Sequence, residues 1–271
     1  MGTIRHRDLR LRYARRTLPV LLAAFLAAPL AAQSAHDHLQ LGNAALQVHD
    51  LGTALAHYEA ALALDSAGYE ANWRTALALL DEGERTPDSV TSAHRDSLYA
   101  RAEQLARRAV AADSLGAEGH FVLAAAVGRA SLTMGKKERI RRARVIRDEA
   151  LRTIELDPHH DGAYHILGRW NAEIMRLSGL SRFFAKRFLG AGIFGKASWE
   201  EAIADMERAV ELDPGRLYHR LELAEIYVDR RRYDEARAQL QEIGRLPNRE
   251  LMDDEYRLQA RELERRIADK R

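Results

Sequence analysis

One six-residue pattern recurs along the chain and constrains its fold more than any other feature. Each copy ends in Asp followed by Ser or Pro: ALALDS at 61–66, AVAADS at 109–114, TIELDP at 153–158 and AVELDP at 209–214. Helix-forming runs that end repeatedly in the same turn residues are typical of stacked helical repeats. We therefore predict that the chain is built from repeats.

Small residues also recur at fixed distances from these copies. With each terminal Ser or Pro taken as position 32 of a helix-turn-helix unit, position 8 is always Ala or Gly: Gly42, Ala76, Ala124, Gly168 and Ala224. Positions 20 and 27 are mostly Ala as well. Antiparallel helices approach closely only where the side chains at the crossing are small, so this pattern predicts paired helices. The unit resembles the tetratricopeptide repeat, whose period is about 34 residues.

We predict an all-α fold: an α-solenoid of about five tetratricopeptide-like helix pairs with insertions and a C-terminal capping helix. The expected repeats span 35–68, 69–116, 117–160, 161–216 and 217–248, and the capping helix spans 249–271. Such a helix covers the apolar face that the last repeat would otherwise expose to water. The chain has no cysteine, which excludes disulfides, thiolate metal sites and cysteine nucleophiles.

Residues 1–33 have a composition of their own. Six Arg precede an apolar run from Leu18 to Ala32, and small or polar residues follow up to Ala35. This order is that of a secretory signal peptide, so we expect an exported, periplasmic protein. An uncleaved N-terminal anchor and a mitochondrial presequence are the alternatives. Residues 1–33 contain six of the 42 basic and one of the 40 acidic side chains, so the remaining chain has a net charge of −3. This net charge gives no reason to expect a nucleic-acid partner.

Several motifs around the fourth repeat indicate a narrower family. They are HDGAYHILGRW at 160–170, FAK at 184–186, FG at 194–195, SWEEA at 198–202 and ELDP at 211–214. Together they resemble the regulator of microtubule dynamics family. This resemblance implies a tetratricopeptide-like interaction protein, linked to organelles or microtubules, with no established catalytic residues to carry over. The predicted export signal argues against a microtubule partner.

The first helix of each pair in such a stack lines a concave groove, and this groove is where we expect a protein or peptide partner. The candidate partner-binding residues are Asn43, Trp73, Phe121, Arg129, His165, Arg169, Glu173, Tyr218 and Glu225. Trp73, Phe121 and Tyr218 with His165 would form an aromatic ladder, a composition enriched at interaction hot spots. In the alternative reading the insertions and the C-terminal helix fill the groove, and these residues are core.

The fourth repeat places three polar side chains on one helix face. His165, Arg169 and Glu173 are spaced at i, i+4 and i+8 and could clamp a chain terminus or an acidic side chain. The simpler reading is an ion pair between Arg169 and Glu173 within the helix. The nearby His159-His160-Asp161 run has weak metal-ligand character, but Asp161 is better explained as a helix N-cap.

The insertion at 182–195 is basic and aromatic, so contact with a membrane surface is an alternative function for it, although packing against the fourth repeat is favoured. Residues 190–195 match the GxGxxG pattern of dinucleotide-binding sites, but no strand precedes them, so we do not expect a dinucleotide site there. No catalytic motif is present, so the sequence predicts a non-enzymatic protein-binding scaffold without a cofactor or metal.

Overall fold

The computed structural model describes residues 33–87, 90–177 and 195–271, and their regular structure is α-helical without strands. The helices are α1 (Ala35–Gln47), α2 (Leu51–Leu64), α3 (Tyr69–Glu84), α4 (Ala93–Ala112), α5 (Ala117–Ala130), α6 (Lys136–Leu156), α7 (Asp161–Arg176), α8 (Trp199–Leu212), α9 (Leu217–Asp229), α10 (Tyr233–Arg245) and α11 (Asp253–Arg266). The predicted all-α solenoid is confirmed. The predicted signal peptide at 1–33, apart from Gln33, lies outside the described residues, as does the insertion at 182–195, apart from Gly195.

Successive helices pack in pairs, and the pairs stack side by side. Each helix from α1 to α11 contacts the next one along the described chain, and the odd-numbered helices also contact one another in the order α1, α3, α5, α7, α9 and α11. One set of helices therefore forms a continuous inner layer, as in a solenoid. Among the described helices, none combines the length and the apolar character that a membrane crossing requires.

The recurring Asp of the sequence pattern makes the turn between one pair and the next. The backbone N–H two residues after each of these Asp side chains donates to its carboxylate, at 2.9 to 3.1 Å in all four turns: Asp65, Asp113, Asp157 and Asp213. An Asp side chain that bonds the backbone two residues on mimics a turn and stops the helix. The pattern thus fixes where the second helix of each of the first four pairs ends.

The small residues of the pattern lie where paired helices cross. The Ala residues at positions 20 and 27 are fully buried: Ala54, Ala61, Ala102, Ala109, Ala202, Ala209 and Ala236. At Gly168, an added Cβ would lie 3.0 Å from the backbone nitrogen of Met206 and 3.1 Å from the carbonyl oxygen of Ala202. Backbone meets backbone at this crossing, which only a residue without a side chain permits.

The C-terminal helix covers the last pair, as expected for a cap. It contacts α9 and α10 and buries Tyr256, Ala260 and Leu263. Tyr256 is the large side chain at this interface, whereas Leu258 of the same helix is 49% exposed.

The two ends of the described helix stack meet. The His49 imidazole, in the turn between α1 and α2, donates through Nε2 to the carbonyl oxygen of Arg249 at 3.1 Å. The Tyr256 hydroxyl of α11 lies 3.5 Å from a carboxylate oxygen of Glu84 at the end of α3. The superhelix therefore curls until its C-terminal segment contacts its first helices, and the inner layer surrounds a cavity.

The tight crossing of α1 and α2 leads to a stability prediction. A Cβ added at Gly42 would lie 2.7 Å from Cδ1 of Tyr58, whose ring is fully buried and cannot move aside. We expect Gly42→Ala to lower the free energy of unfolding by about 1–3 kcal/mol in chemical denaturation. Gly244→Ala is the matched control, because no atom lies within 4 Å of its added Cβ. It should leave stability unchanged or raise it by up to about 1 kcal/mol, and equal effects of the two variants would refute the close crossing.

Candidate functional site

A cavity of about 830 Å³ occupies the space that the inner helices surround. Its apolar wall comprises Leu77, Leu80, Phe121, Ile140, Ile146, Ile166, Trp170 and Ile174. Its charged wall comprises Asp81, Glu84, Arg129, Arg139, Arg169, Glu173, Arg216, Arg249 and Glu250. A ligand in this cavity would therefore meet apolar surface and fixed charges together, which is the composition of typical binding pockets.

Six of the nine predicted groove residues line the cavity: Phe121, Arg129, His165, Arg169, Glu173 and Tyr218. They come from α5, α7 and α9, the first helices of the last three pairs. Their contact with a partner stays a prediction, but the fold brings all six around one volume.

The other three predicted residues do not line it. Asn43 accepts a hydrogen bond from the Tyr58 hydroxyl at 2.8 Å. Trp73 packs partly buried against the core of the first helices, with the guanidinium of Arg74 4.3 Å from the centre of its ring. Glu225 is half-buried on α9, where burial and neighbouring Glu222 raise its pKa to about 7. These three residues lie away from the cavity, and their contact with a partner stays a prediction.

Arg169 makes its ion pair across the stack and not along its own helix. Its Nη1 donates to Glu222 Oε1 at 2.9 Å and to the hydroxyl of Tyr218, both on α9. Glu173 pairs with Arg176 at 2.7 Å. The simple reading of an intrahelical pair between Arg169 and Glu173 was therefore wrong. The Glu222 carboxylate, one repeat away, holds the Arg169 guanidinium at the cavity wall in a fixed orientation.

Three rings form a stack beside this guanidinium. The rings of His165 and Tyr218 lie 4.5 Å apart, and those of Tyr218 and Tyr256 lie 4.7 Å apart at an angle of 12°. Burial raises the pKa of both tyrosines, so both phenols stay neutral. Two predicted residues and one unpredicted residue thus build an aromatic wall that joins α7, α9 and α11.

Asp161 has a different role from the one predicted. The N-cap of α7 is His160, whose Nδ1 accepts from the backbone N–H of Ala163 at 3.2 Å. Asp161 is the first helical residue, and its carboxylate accepts from His219 Nε2 at 2.8 Å and from Arg216 Nη1 at 2.9 Å. The prediction of Asp161 as the N-cap was wrong, because His160 occupies that position. The Asp161 carboxylate therefore contacts the next repeat.

The two histidines and this carboxylate form a hydrogen-bonded chain. His219 Nδ1 lies 2.9 Å from Nδ1 of His165, while its Nε2 contacts Asp161. Burial lowers the pKa of His165 well below its usual value and also lowers that of His219, although the bond to Asp161 partly opposes the shift of His219. Both imidazoles are therefore neutral near pH 7. Burial alone would raise the pKa of Asp161, but the bond from His219 and the charge of Arg216 outweigh it and hold that pKa well below its usual range.

An acidic group borders the cavity where the chain ends meet. Burial, with the nearby charges of Glu84 and Glu250, raises the pKa of Asp81 to about 7. Glu84 pairs with Arg129, and the Tyr256 hydroxyl approaches the same carboxylate. The wall here combines a paired carboxylate with one that is half protonated near neutral pH.

A metal site is not formed in the part of the chain that the structure describes, where no three His, Asp or Glu side chains converge. The arrangement instead offers aromatic faces, oriented guanidinium groups and buried imidazoles. Such groups bind ligands through hydrogen bonds and apolar contact.

Sequence reasoning missed several residues of this site, among them Glu84, His219, Glu222 and Tyr256. Each contacts its partner from another repeat, so no local spacing revealed it. One signal could have found His219: it directly follows Tyr218, which was predicted to line the groove.

The fold and the cavity define a tetratricopeptide-type protein, and comparisons agree with that class. A crystal structure of a thermophilic TPR protein from Thermus thermophilus matches with a TM-score of 0.60 at 19% identity, covering 85% of this chain and 98% of that one. A structure of pilF from Pseudomonas aeruginosa matches with a TM-score of 0.50 at 16% identity, covering 87% and 90%. At these identities the likeness concerns the fold alone.

The family follows from the sequence match. The model of the family described as regulator of microtubule dynamics protein 1-3 matches residues 33–268, and the chain belongs to this family. A comparison with curated proteins finds no match.

The hydrogen bonds of Asp161 predict a pH-dependent stability. We expect Asp161→Asn to lower the free energy of unfolding by about 1–3 kcal/mol at pH 7, because the variant loses a charge that His219 and Arg216 stabilise. The pKa of Asp161 is depressed in the folded state, so its contribution is complete above the unfolded value of about 3.9 and is lost progressively as the pH falls from that value through the lower folded value. The difference in stability between wild type and variant should therefore shrink steadily below about pH 4.

The matched control for this measurement is Asp234→Asn, in which an exposed carboxylate pairs with Arg237 of its own helix. It should change stability little at any pH. A gap between wild type and Asp161→Asn that stays constant down to about pH 3 would show that the charge of Asp161 is not what stabilises the fold.

Proposed function

We propose that this protein is a non-enzymatic scaffold that binds a peptide segment of a protein partner in the cavity of about 830 Å³. The observation that carries the proposal is the cavity itself, which the first helices of successive pairs and the C-terminal segment enclose. A volume of this size holds a short segment and not a folded domain.

The composition of the wall supports a peptide ligand. Aromatic residues and arginines dominate binding hot spots, and Phe121, Tyr218, Arg129 and Arg169 bring both kinds to one wall. Both guanidinium groups are held by carboxylates, Glu84 and Glu222, so their orientation is set before a ligand arrives. A wall that is already ordered loses little conformational entropy on binding, which favours affinity.

The place of action in this proposal is the cell envelope. Its support is the arginine-rich, apolar leader at 1–33. An exported chain meets envelope proteins and not microtubules, so the proposed partner is a protein of the same compartment.

Export can be tested with the leader alone. We expect residues 1–40 fused to an alkaline phosphatase that lacks its own signal to give active enzyme in a bacterial host, because that enzyme becomes active only outside the cytoplasm. N-terminal sequencing should place the cleavage between Ala32 and Ala35. Phosphatase activity that stays at the level of a fusion without a leader would refute export.

Peptide binding can be tested by filling the cavity. Gly128 lines it from α5, and an added Cβ there meets only Ile146 Cδ1 at 3.9 Å. We expect Gly128→Phe to place its ring in the cavity and to weaken binding of short peptides by at least about tenfold. The peptides would be selected from a phage-displayed random library against the full chain, synthesised with a fluorophore and titrated by polarisation.

The matched control is Gly244→Phe, another glycine within a helix whose added Cβ meets nothing within 4 Å. It lies on α10 outside the cavity and should leave peptide affinity unchanged. A library that yields no binding peptide, or peptides that bind Gly128→Phe as tightly as wild type, would overturn the proposal. Circular dichroism of both variants checks that the helices persist.

A further inference from the structure

One carboxylate of the cavity wall lacks the partner that the others have. Asp81 lines the cavity, makes no ion pair or hydrogen bond within the described part of the chain, and keeps its carboxylate oxygens accessible. The other acidic residues of the described wall each pair with an arginine: Glu84 with Arg129, Glu173 with Arg176 and Glu250 with Arg216. A ligand in the cavity can therefore reach a carboxylate that the protein leaves unpaired.

The charges around Asp81 do not compensate its own charge. Burial, with the charges of Glu84 and Glu250, raises the pKa of Asp81 to about 7. The charges of Arg216 and Arg129 oppose this shift without cancelling it, and both arginines already pair with those two glutamates. An ionised Asp81 therefore costs free energy in the free protein, and a positive group beside it would recover that free energy.

The other arginines of the wall offer little to a negative ligand. Carboxylates already hold two of them, Arg169 through Glu222 and Arg249 through Asp213. Arg139 is exposed, so water and salt screen its charge. The unpaired charge within the wall is thus negative, and electrostatic complementarity selects a positive group in the ligand.

The apolar side chains of the wall select the kind of positive group. Leu77 lies one helical turn before Asp81 on α3, and Leu46, Leu80 and Met252 also line the cavity. Lysine and arginine carry their charge at the end of an aliphatic stem, which packs on apolar surface while the charged end stays at a polar group. A peptide amino terminus has no such stem. An apolar wall with one unpaired carboxylate therefore fits a basic side chain.

We propose that the peptide bound in the cavity carries a lysine or arginine whose charged end pairs with the Asp81 carboxylate, while its aliphatic stem packs on the apolar wall beside Leu77. This inference rests on the proposed peptide-binding function and names the residue that the cavity selects in its ligand. Asp81 thereby determines which peptides bind.

Peptides selected from the phage-displayed library provide the probes. Binding sequences should be enriched in Lys or Arg flanked by apolar residues. The tightest binder is synthesised with both termini blocked, and then with each Arg in turn replaced by citrulline or each Lys by Nε-acetyl-lysine. These replacements remove the positive charge and nearly keep the shape of the side chain. Replacement of the residue that pairs with Asp81 should weaken binding at least about tenfold, because a hydrogen bond between charged groups is lost.

Asp81→Asn tests the same contact from the protein side. The amide keeps the shape of the carboxylate and removes a charge that Glu84 and Glu250 repel, so the thermal unfolding midpoint should not fall. The variant should bind the charged and the neutral peptide within about twofold of each other. Glu82→Gln is the matched control, because Glu82 is the next residue of α3, pairs with Arg85 and does not line the cavity. It should keep the wild-type preference for the charged peptide.

The affinity for the charged peptide should also depend on pH. A bound cation lowers the pKa of Asp81, so binding should strengthen about tenfold from pH 6 to pH 8, as Asp81 ionises in the free protein. Lysine and arginine keep their charge throughout this range. Asp81→Asn should abolish the rise.

Other titratable and charged groups face Asp81 or share its wall. They are Tyr58, Glu84, Arg129, Arg216 and Glu250, with His49, His165, His219, Arg249 and Tyr256 elsewhere in the wall. Burial lowers the pKa of His165 and His219, so His49 is the imidazole that needs a control. His49→Gln keeps a donor for the carbonyl oxygen of Arg249 and should keep the rise with pH.

The results that would contradict the inference differ from those that would contradict the proposed function. Library binders without Lys or Arg, neutral replacements that bind as tightly, or a preference for the charged peptide that survives in Asp81→Asn would each overturn the inference alone. A rise with pH that disappears in His49→Gln and persists in Asp81→Asn would also overturn it. A library without any binder overturns the proposed function itself.

Discussion

Close contact between paired helices is the condition on which the rest of the structure depends. Gly168 meets the backbone of α8, and fully buried Ala202 and Ala209 lie at the same kind of crossing. Because the helices of a pair approach so closely, neighbouring pairs can stack side by side, and the Asp turns end the second helix of each of the first four pairs. A single bulky residue at a crossing would change the rotation and with it the curvature of the whole stack.

Curvature is what turns a row of helix pairs into a site. The inner helices of the last three pairs carry Phe121, His165 and Tyr218, and the superhelix curls until Tyr256 of α11, which stacks on Tyr218, also approaches Glu84 of α3. The charged groups in this space are held by partners on adjacent repeats, as Arg169 is held by Glu222. The site therefore belongs to the assembly of repeats and to no single repeat, which is consistent with stacking as the source of stability in such proteins.

The sequence predicted the fold well because the fold depends on local, periodic signals. The Asp-Ser and Asp-Pro ends and the small residues at the crossings are visible within one repeat length. The site was predicted only in part, because its specific contacts join residues far apart in the chain. Asp161 and His219 are 58 residues apart, and Tyr256 and Glu84 are 172 apart. Local spacing favoured a pair between Arg169 and Glu173, yet each side chain pairs elsewhere, Arg169 with the next repeat and Glu173 with Arg176.

The contact of His49 with Arg249 has a mechanical consequence. An open solenoid can change its curvature, so the width of its inner groove adjusts to a ligand. A superhelix whose ends touch keeps the width of its cavity, because widening the cavity breaks the hydrogen bonds of His49 and Tyr256 where the two ends meet. If a peptide binds in the cavity as proposed, the contacts of His49 and Tyr256 limit its width, and a thicker peptide enters only when the first helices part from the last.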